Sequence, residues 1–597
     1  IAVPLNWLPL LLPIAFFCLS LAQEDPYPSF SSETLINNVV QDNHTGRIYV
    51  GAVNSIYQLN PALKREARTE TGPKEDARTC TPPASACQDT KFMDNHNKLL
   101  LVHPSNGSLI VCGSRYRGIC SLLNLSNVEQ QLYYSDSKGE RTYVASIEDN
   151  VNVVGVMSTY TKEDVSFPVF LVGKGYGSLD STKLISTRIL QDFREWVVFE
   201  SIIEASTVQT TPFVAKYLHD FRHAFKEDGF VYFLFSRTLD GADSVKNVTF
   251  VSRLCETDLH YYSHTELQLN CGNDNKYNKV QAAYVAAPGK ELARSMSESG
   301  LYGNVVSWRK LTLMSLLYFV FVNLSHCSTR LRSWIRIIPL SHLQYKAFHY
   351  SDISLKIDTL EHFKCGADFL PSPLASKPKY ALKAQNALTK TELLTAVSVA
   401  VENDHTIAFL GNSRGEVFKV NNSSVVSAPI SICSVLKCLF FDHNCYFSIL
   451  LQITKVPVQT CLKQPNCHSC VELRDPYCGW CVLEGRCTRR SECRRAEEKN
   501  GWLWSPRQQC VKIVSFFPPN LSCKKTQTVH TRSALGWMDG ISRIQASSRI
   551  VLANITVSCE LPQPSMIPQT PDDQGTGRHF DYERLRFSWT INAKHAQ

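Results

Sequence analysis

At 597 residues the chain is too long for one ordinary core, and its 44% hydrophobic content is that of globular domains rather than of a disordered or membrane-embedded chain. The net charge of +8 is spread along the whole length, with no Lys/Arg block and no basic amphipathic stretch. Such scatter reads as solvated surface and excludes nucleic acid as an expected partner.

In chain order the first element is an apolar run from Leu8 to Ala22, closing on Ser20-Leu21-Ala22 before the polar Gln23-Glu24-Asp25. About 15 apolar residues fall short of the roughly 20 that span a bilayer, but they suit the core and small-residue cleavage site of a secretory signal peptide. Residues 1–22 are assigned to this signal. With no initiator Met and no basic stretch ahead of the run, the extreme start of the precursor is expected to be missing.

Residues 23–458 carry a recurring pattern. Ile48-Tyr49-Val50-Gly51 leads through a short turn to Ile56-Tyr57-Gln58-Leu59, and Leu109-Ile110-Val111-Cys112-Gly113 leads to Ile119-Cys120-Ser121-Leu122. Late in the region Ile407-Ala408-Phe409-Leu410-Gly411 leads to Val417-Phe418-Lys419-Val420. Each is a buried strand, a Gly-containing turn and a second strand, the signature of a β-hairpin. The runs Val169-Phe170-Leu171-Val172-Gly173 and Phe230-Val231-Tyr232-Phe233-Leu234-Phe235 fit further hairpins. Many short strands with a recurring hairpin favour an all-β radial repeat, a β-propeller, over a sandwich. Seven blades would give roughly 60 residues each, longer than the 40 to 50 of common repeats, so long loops are expected between strands. Loops on a rigid scaffold are where recognition is usually placed.

Gly411-Asn412-Ser413-Arg414-Gly415 matches the nucleophile elbow of serine hydrolases as a pattern. An elbow needs a helix after the turn, whereas Glu416-Val417-Phe418-Lys419-Val420 alternates as a strand does. Gly173-Lys174-Gly175-Tyr176-Gly177 lacks the spacing of a phosphate loop and reads as a turn. Histidines are scattered singly, so no catalytic, metal or cofactor residue is assigned.

Cys80 and Cys87 enclose six residues with two prolines, and Cys112 and Cys120 flank one hairpin turn. Both pairs suit local bridges that pin loops. Eight of the 22 cysteines fall between Cys461 and Cys510, around Asp475-Pro476-Tyr477-Cys478-Gly479-Trp480-Cys481. So small a module buries too little apolar surface to fold securely unaided, and disulfides are the usual remedy. Zinc is the competing reading, since Cys467 with Cys470 and Cys478 with Cys481 are both CxxC pairs. Only seven residues separate the pairs, and four more cysteines would be left over. The secretory start favours disulfides. Asn-x-Ser/Thr sequons at Asn43, Asn106, Asn124, Asn247, Asn323, Asn421, Asn422, Asn520 and Asn554 suit a secreted glycoprotein.

The run from Asp475 to Cys487, with Trp502-Leu503-Trp504, Thr249-Phe250-Val251-Ser252-Arg253-Leu254-Cys255 and the run from His405 to Gly411, resembles plexin ectodomains, most of all the B class. The resemblance covers most of 30–300 and 365–515. It implies a seven-bladed sema-type propeller over 23–458, a plexin-semaphorin-integrin (PSI) module over 459–511 and a partial immunoglobulin-like (IPT/TIG) region over 512–597. It further implies bridges Cys461–Cys478, Cys467–Cys510, Cys470–Cys487 and Cys481–Cys493 in the module, and Cys80–Cys87, Cys112–Cys120 and Cys255–Cys365 in the propeller.

Three stretches depart from the family. From 308 to 350 an apolar run, Leu311 to Leu324, and a basic run replace expected strands, leaving Cys271 without its family partner and Cys327 as a poor substitute. From 433 to 451 an apolar, cysteine-containing run replaces the expected last strand, which is expected to weaken closure of the ring. After Ile513 the immunoglobulin-like pattern starts at Val514 and fades, and the chain stops at Gln597 before any expected membrane anchor.

Functionally, the resemblance implies the extracellular part of a cell-surface semaphorin receptor acting in axon guidance and cell migration. No enzymatic activity, cofactor or metal is expected. Semaphorins are the expected partners, with possible homodimer or co-receptor association, and the membrane is reached only through a C-terminal anchor. Contact residues are not assigned. The alternatives are the ectodomain of a hepatocyte-growth-factor-receptor-type kinase, a semaphorin ligand and, remotely, a secreted hydrolase using Ser413.

Overall fold

The computed structural model describes residues 27–80, 83, 85, 87–162, 165–177, 183–191, 197–202, 207–209, 217–239, 247–258, 260–270, 279–298, 316–322, 333–339, 365–367, 374–375, 381–383, 385–390, 393–421, 424–427, 437–441, 444–448, 450–505, 508–517, 530–535 and 547–550. The signal run 1–22, Cys271, Cys327, Cys433, Asn323, Asn422, Asn520, Asn554 and the segment after 550 lie outside the described residues. Contacts divide the chain into two units, Ile1–Val458 and Gln459–Gln597.

Seven sheets of the first unit each contain a four-strand antiparallel meander that runs from the inside of the unit to the outside, and a two-stranded ribbon, Lys74–Asp76 with Lys91–Met93, stands apart from them. Blade 1 is Ile36–Gln41, Ile48–Ala52, Ser55–Leu59 and Arg65–Glu70. Blade 2 is Asn97–His103, Ser108–Gly113, Cys120–Asn124 and Gln131–Tyr134. Blade 3 is Val153–Lys162, Val165–Lys174, Lys183–Ile189 and Thr207–Gln209. Blade 4 is His219–Glu227, Phe230–Thr238, Asn247–Cys255 and Thr265–Asn270, extended at its edge by the parallel strands Leu374–Ala375 and Leu382–Lys383. Blade 5 is Lys279–Ala286, Leu316–Val322, Ser333–Pro339 and Gln385–Lys390, and blade 6 is Leu394–Glu402, His405–Asn412, Val417–Asn421 and Ser424–Ser427.

Blade 7 draws on both ends of the unit. Lys437–Phe441, Asn444–Ser448 and Gln452–Pro457 come from its end, and the outermost strand, Ser29–Ser31, comes from its beginning and pairs Ser29 with Thr454. Inner strands touch their neighbours in cyclic order, blade 1 against 2, on through 6 against 7, and 7 against 1. The unit is a closed seven-bladed propeller, and closure leaves no blade without two neighbours.

The hairpins expected from sequence form in register. Val50 faces Tyr57, Cys112 faces Cys120, and Phe409 faces Lys419. Two expectations are corrected. The 308–350 stretch supplies both middle strands of blade 5, Tyr318 pairing with Tyr284 on one side and Ile337 on the other. A continuous apolar run such as Leu316–Val322 suits a strand inside a sheet covered on both faces. The 433–451 stretch likewise does not break the ring. It provides the two inner strands of blade 7, with Leu439 opposite Tyr446.

The core lies between blades. Phe167 and Leu171 of blade 3 pack with Phe221, Phe233 and Phe235 of blade 4, while Phe30, Tyr446 and Ile453 of blade 7 pack with Ile48 and Tyr57 of blade 1. Each such buried side chain contributes roughly 1.5–3 kcal/mol.

The second unit contains a three-stranded sheet, Arg486–Thr488, Gly479–Cys481 and Trp502–Trp504, beside the helix Cys467–Glu472. A capping box opens that helix: the Asn466 side chain accepts from the Ser469 amide at 2.9 Å. Val511–Phe517, His530–Leu535 and Ser547–Ile550 form a further three-stranded sheet in the region expected to be immunoglobulin-like.

Candidate functional site

Polar bonds tie the blade interfaces of the propeller, so the loops sit on a stiff ring. The Tyr49 hydroxyl donates to the Leu125 carbonyl at 2.6 Å, and Lys98 Nζ to the Glu148 carbonyl at 2.6 Å. The Val280 amide donates to Ser236 Oγ, the Gly289 amide to Thr406 Oγ1, and Lys419 Nζ to the Val458 carbonyl. Between blades 3 and 5 the knot is the buried Asp220 carboxylate. It accepts from Asn152 Nδ2 at 2.6 Å and Arg222 Nη2 at 2.7 Å, and Lys279 Nζ lies 3.2 Å away. Asp220 thus joins the inner strands of blades 4 and 5 to the start of blade 3 in charge-assisted bonds. The inner strands enclose a channel of about 440 Å³ whose lining includes Asn38, Leu100, Asn152, Arg222, Gln281 and Thr395.

Burial sets the charge state of several groups. His219, stacked on Phe221 and Phe235, is pushed down to about 3 by desolvation and then by Arg237, so it is neutral. Burial lowers His264 and His103 as well. Arg188, enclosed in blade 3, falls to about 10 through burial but keeps its charge, donating to Ser186 Oγ and to the Arg141 and Phe199 carbonyls.

In a meander the inner strands all begin at one face, the upper, and end at the lower face. Loops joining second to third strands, and blade to blade, lie on the upper face. Asn43, Asn106 and Asn124 sit in or beside first-to-second or third-to-fourth connections of blades 1 and 2, and Asn421 ends the third strand of blade 6; all four are at the lower face. Asn43 and Asn106 are exposed. Asn124 is half-buried and donates to Gln130 Oε1 at 2.9 Å. Asn247 begins the third strand of blade 4 at the upper face and accepts from Thr238 Oγ1 at 2.9 Å.

Ser413 lies in a strand–turn–strand hairpin with no helix following it. Its turn is organised by Asn412, whose Oδ1 accepts from the Arg414 and Glu416 amides while Gly415 takes a φ of 82°. This turn does not resemble an elbow.

The structure joins Cys80 to Cys87, Cys112 to Cys120 and Cys255 to Cys365 in the propeller, with Cα separations of 5.2, 4.0 and 5.4 Å. In the second unit it joins Cys461 to Cys478, Cys467 to Cys510, Cys470 to Cys487 and Cys481 to Cys493, at 5.4 to 5.9 Å. The sulfurs of Cys461, Cys478 and Cys487 cluster within 4.8 Å of one another, but each is bonded in a disulfide and offers no thiolate to a metal. Trp502 lies over Gly479, where a Cβ would fall within its indole, and Trp502 Nε1 donates to the Thr488 carbonyl at 3.1 Å. Trp504 Nε1 donates to the Pro476 carbonyl, and Asp475 Oδ1 accepts from the buried Tyr477 amide. These contacts explain why Asp475, Gly479 and the Trp502-Leu503-Trp504 strand occur together. The sequence signalled the cysteines and tryptophans; the Asp220 knot gave no signal, because Asn152, Asp220 and Lys279 meet only in the ring.

The plexin repeat (PSI) family profile matches residues 460–511. Plexin-B2 of Mus musculus is 36% identical over 606 residues, covering 96% of this chain and 32% of the relative. Plexin-B1 of Homo sapiens is 33% identical, covering 94% and 28%. The chain therefore spans about a third of the length of the curated relatives it matches. Among solved structures, the Plexin A4 extracellular region aligns with a TM-score of 0.72 and 25% identity, over 85% of this chain and 54% of that one. Drosophila Plexin A in complex with Semaphorin 1b aligns at 0.54 with 15% identity, over 80% and 96%, a likeness of fold alone. With the propeller and the plexin repeat both in place, the chain is homologous to the plexins and shares the fold of the matched part of their extracellular region.

Proposed function

We propose that this chain is the ligand-binding extracellular part of a semaphorin receptor, placed at the cell surface in its full-length form. The observation that carries the reading is the sequence match to B-type plexins along almost the entire chain, combined with a closed propeller followed by a plexin repeat. A solved relative of the same fold is a plexin bound to a semaphorin. The propeller offers a stiff face to a protein ligand, and the disulfide-stapled module, over 459–511, serves as a rigid joint to the region that follows. Ligand dimers would then bring receptors together, so geometry and avidity transmit the signal and no chemical step is required. On this reading the seven bridges are structural, the sequons Asn43, Asn106, Asn124, Asn247, Asn421, Asn520 and Asn554 carry glycans, and the chain has no enzymatic role.

The test is binding of the secreted chain to immobilised semaphorin ectodomains, with a disulfide map made on the same material. Saturable binding to at least one semaphorin is expected. No binding by fully bridged protein would overturn the receptor reading.

A further inference from the structure

Five of the seven inner strands carry one residue more than the strand they pair with, each time near the upper end of the channel. In blade 1 Ile36 faces Ala52 and Asn38 faces Gly51, which leaves Asn37 without a counterpart. The same slip sets apart Lys98 in blade 2, Arg222 in blade 4, Gln281 in blade 5 and Thr395 in blade 6. Each is a β-bulge, which puts two residues opposite one and re-aims the side chain of the extra residue. All five extra residues are polar.

Four of them, Asn37, Arg222, Gln281 and Thr395, line the channel, whereas Lys98 turns its ammonium to the Glu148 carbonyl between blades 2 and 3. Asp220 Oδ2 holds one edge of the Arg222 guanidinium, accepting from Nε at 3.0 Å and Nη2 at 2.7 Å. The outer edge, Nη1 with the second Nη2 hydrogen, makes no hydrogen bond among the described residues, and the side chain is 26% exposed. The Gln281 carboxamide, bulged on the neighbouring blade, is likewise unbonded among the described residues.

Charge gives this end of the channel its sign. At the Asp220 knot two cations, Arg222 and Lys279, meet one carboxylate, so positive charge is in surplus. Among the described residues lining the channel none is an Asp or a Glu. A walled channel with such a balance attracts anions and repels cations. A guanidinium edge takes two oxygens of one carboxylate, phosphate or sulfate in parallel hydrogen bonds, and carboxamide NH2 groups add further donors. Because Asp220 fixes the guanidinium, the donor edge is set before a ligand arrives. The channel's volume of about 440 Å³ is within the range of small-molecule sites.

We propose that the upper end of the channel binds a small oxyanion, a phosphate, sulfate or carboxylate group, between the outer edge of Arg222 and the Gln281 carboxamide, with Asn37 across the channel as a further donor. The site is independent of the receptor reading, since it uses the inner strands and not the loops.

The experiment titrates the secreted full chain calorimetrically with inorganic phosphate, sulfate and citrate in turn, at constant ionic strength held with chloride. Saturable one-to-one binding of at least one of them, in the millimolar range or tighter, is expected. Arg222→Gln should weaken it about tenfold and Gln281→Leu about threefold. Arg494→Gln, at an exposed position in the second unit, should leave it unchanged. Arg222→Gln also loosens Asp220, so Gln281→Leu, which leaves the knot whole, decides the matter if the first variant is poorly secreted. The bound anion should raise the urea midpoint of the wild type above its value in chloride, by an increment that shrinks in Gln281→Leu. Preference for phosphate or sulfate over citrate assigns a tetrahedral group to the site, and the reverse assigns a carboxylate. No saturable binding of any of the three by fully bridged protein, or equal binding by the wild type and Gln281→Leu, would overturn the proposal. Equal stabilisation of both chains by sulfate would be the general exclusion of that ion from protein surfaces and would count against it as well.

Discussion

The Tyr446 hydroxyl in blade 7 donates to the Pro61 carbonyl in blade 1 at 3.1 Å, and Lys455 Nζ reaches the same carbonyl at 3.0 Å while lying over the Tyr446 ring. This carbonyl is a polar clasp across the seam where the ring closes. Tyr446→Phe removes one donor but leaves Lys455 in place, so a loss of about 1 kcal/mol is expected. Tyr446→Ala also empties a buried ring site and should cost about 3–5 kcal/mol. Urea unfolding of the two variants checks the ordering, and equal losses would contradict it.

Gly479 has no room for a side chain beneath Trp502. Gly479→Ala is expected to push the Trp502-Leu503-Trp504 strand off its neighbour and destabilise the cysteine module by about 1–3 kcal/mol. The readout is secretion yield together with the fraction of correctly bridged Cys481–Cys493 peptide, both of which should fall.

The pH dependence of stability has a definite sign. His219 titrates at about 3 in the folded chain against an ordinary value of 6.5, so below 6.5 the unfolded chain binds the extra proton. The propeller should keep this contribution in full above pH 6.5 and lose about 1.4 kcal/mol for each further pH unit of acidification toward 3. His264 acts in the same direction. His219→Phe should flatten the slope of the urea midpoint between about pH 6 and 4; an unchanged slope would assign the acid sensitivity elsewhere.

Ser413→Ala should alter neither ligand binding nor turnover of any ester substrate, since the serine sits in a plain hairpin turn. Asn412→Ala removes the acceptor of the Arg414 and Glu416 amides and should cost about 1–3 kcal/mol. Paired thermal melts separate the two, and a hydrolytic loss confined to Ser413→Ala would reopen the enzyme reading.

Local pattern carried the hairpins. Ile48 to Leu59 and Ile407 to Val420 declare strand, turn and strand within one window, and the structure places them as expected. The run at 316–322 misled because an unbroken apolar stretch has no periodicity to separate a central strand from a helix, and only its place in the sheet decides, whereas 437–441 and 444–448 are two short strands paired with each other. The Asp220 knot was equally hidden, because its members are distant in sequence and become neighbours only when inner strands are set side by side in a ring.

Pairing Ser29 with Thr454 also imposes an order of events during synthesis. The first strand of the propeller emerges with no partner and waits while six blades are made, so the nascent unit cannot complete its seam until Gln452–Pro457 has left the ribosome. Throughout that interval the seam strands of the growing sheet assembly remain open to mispairing. A chain cut short within the last blade would thus lose far more than the residues removed, because its opening strand would have nowhere to go.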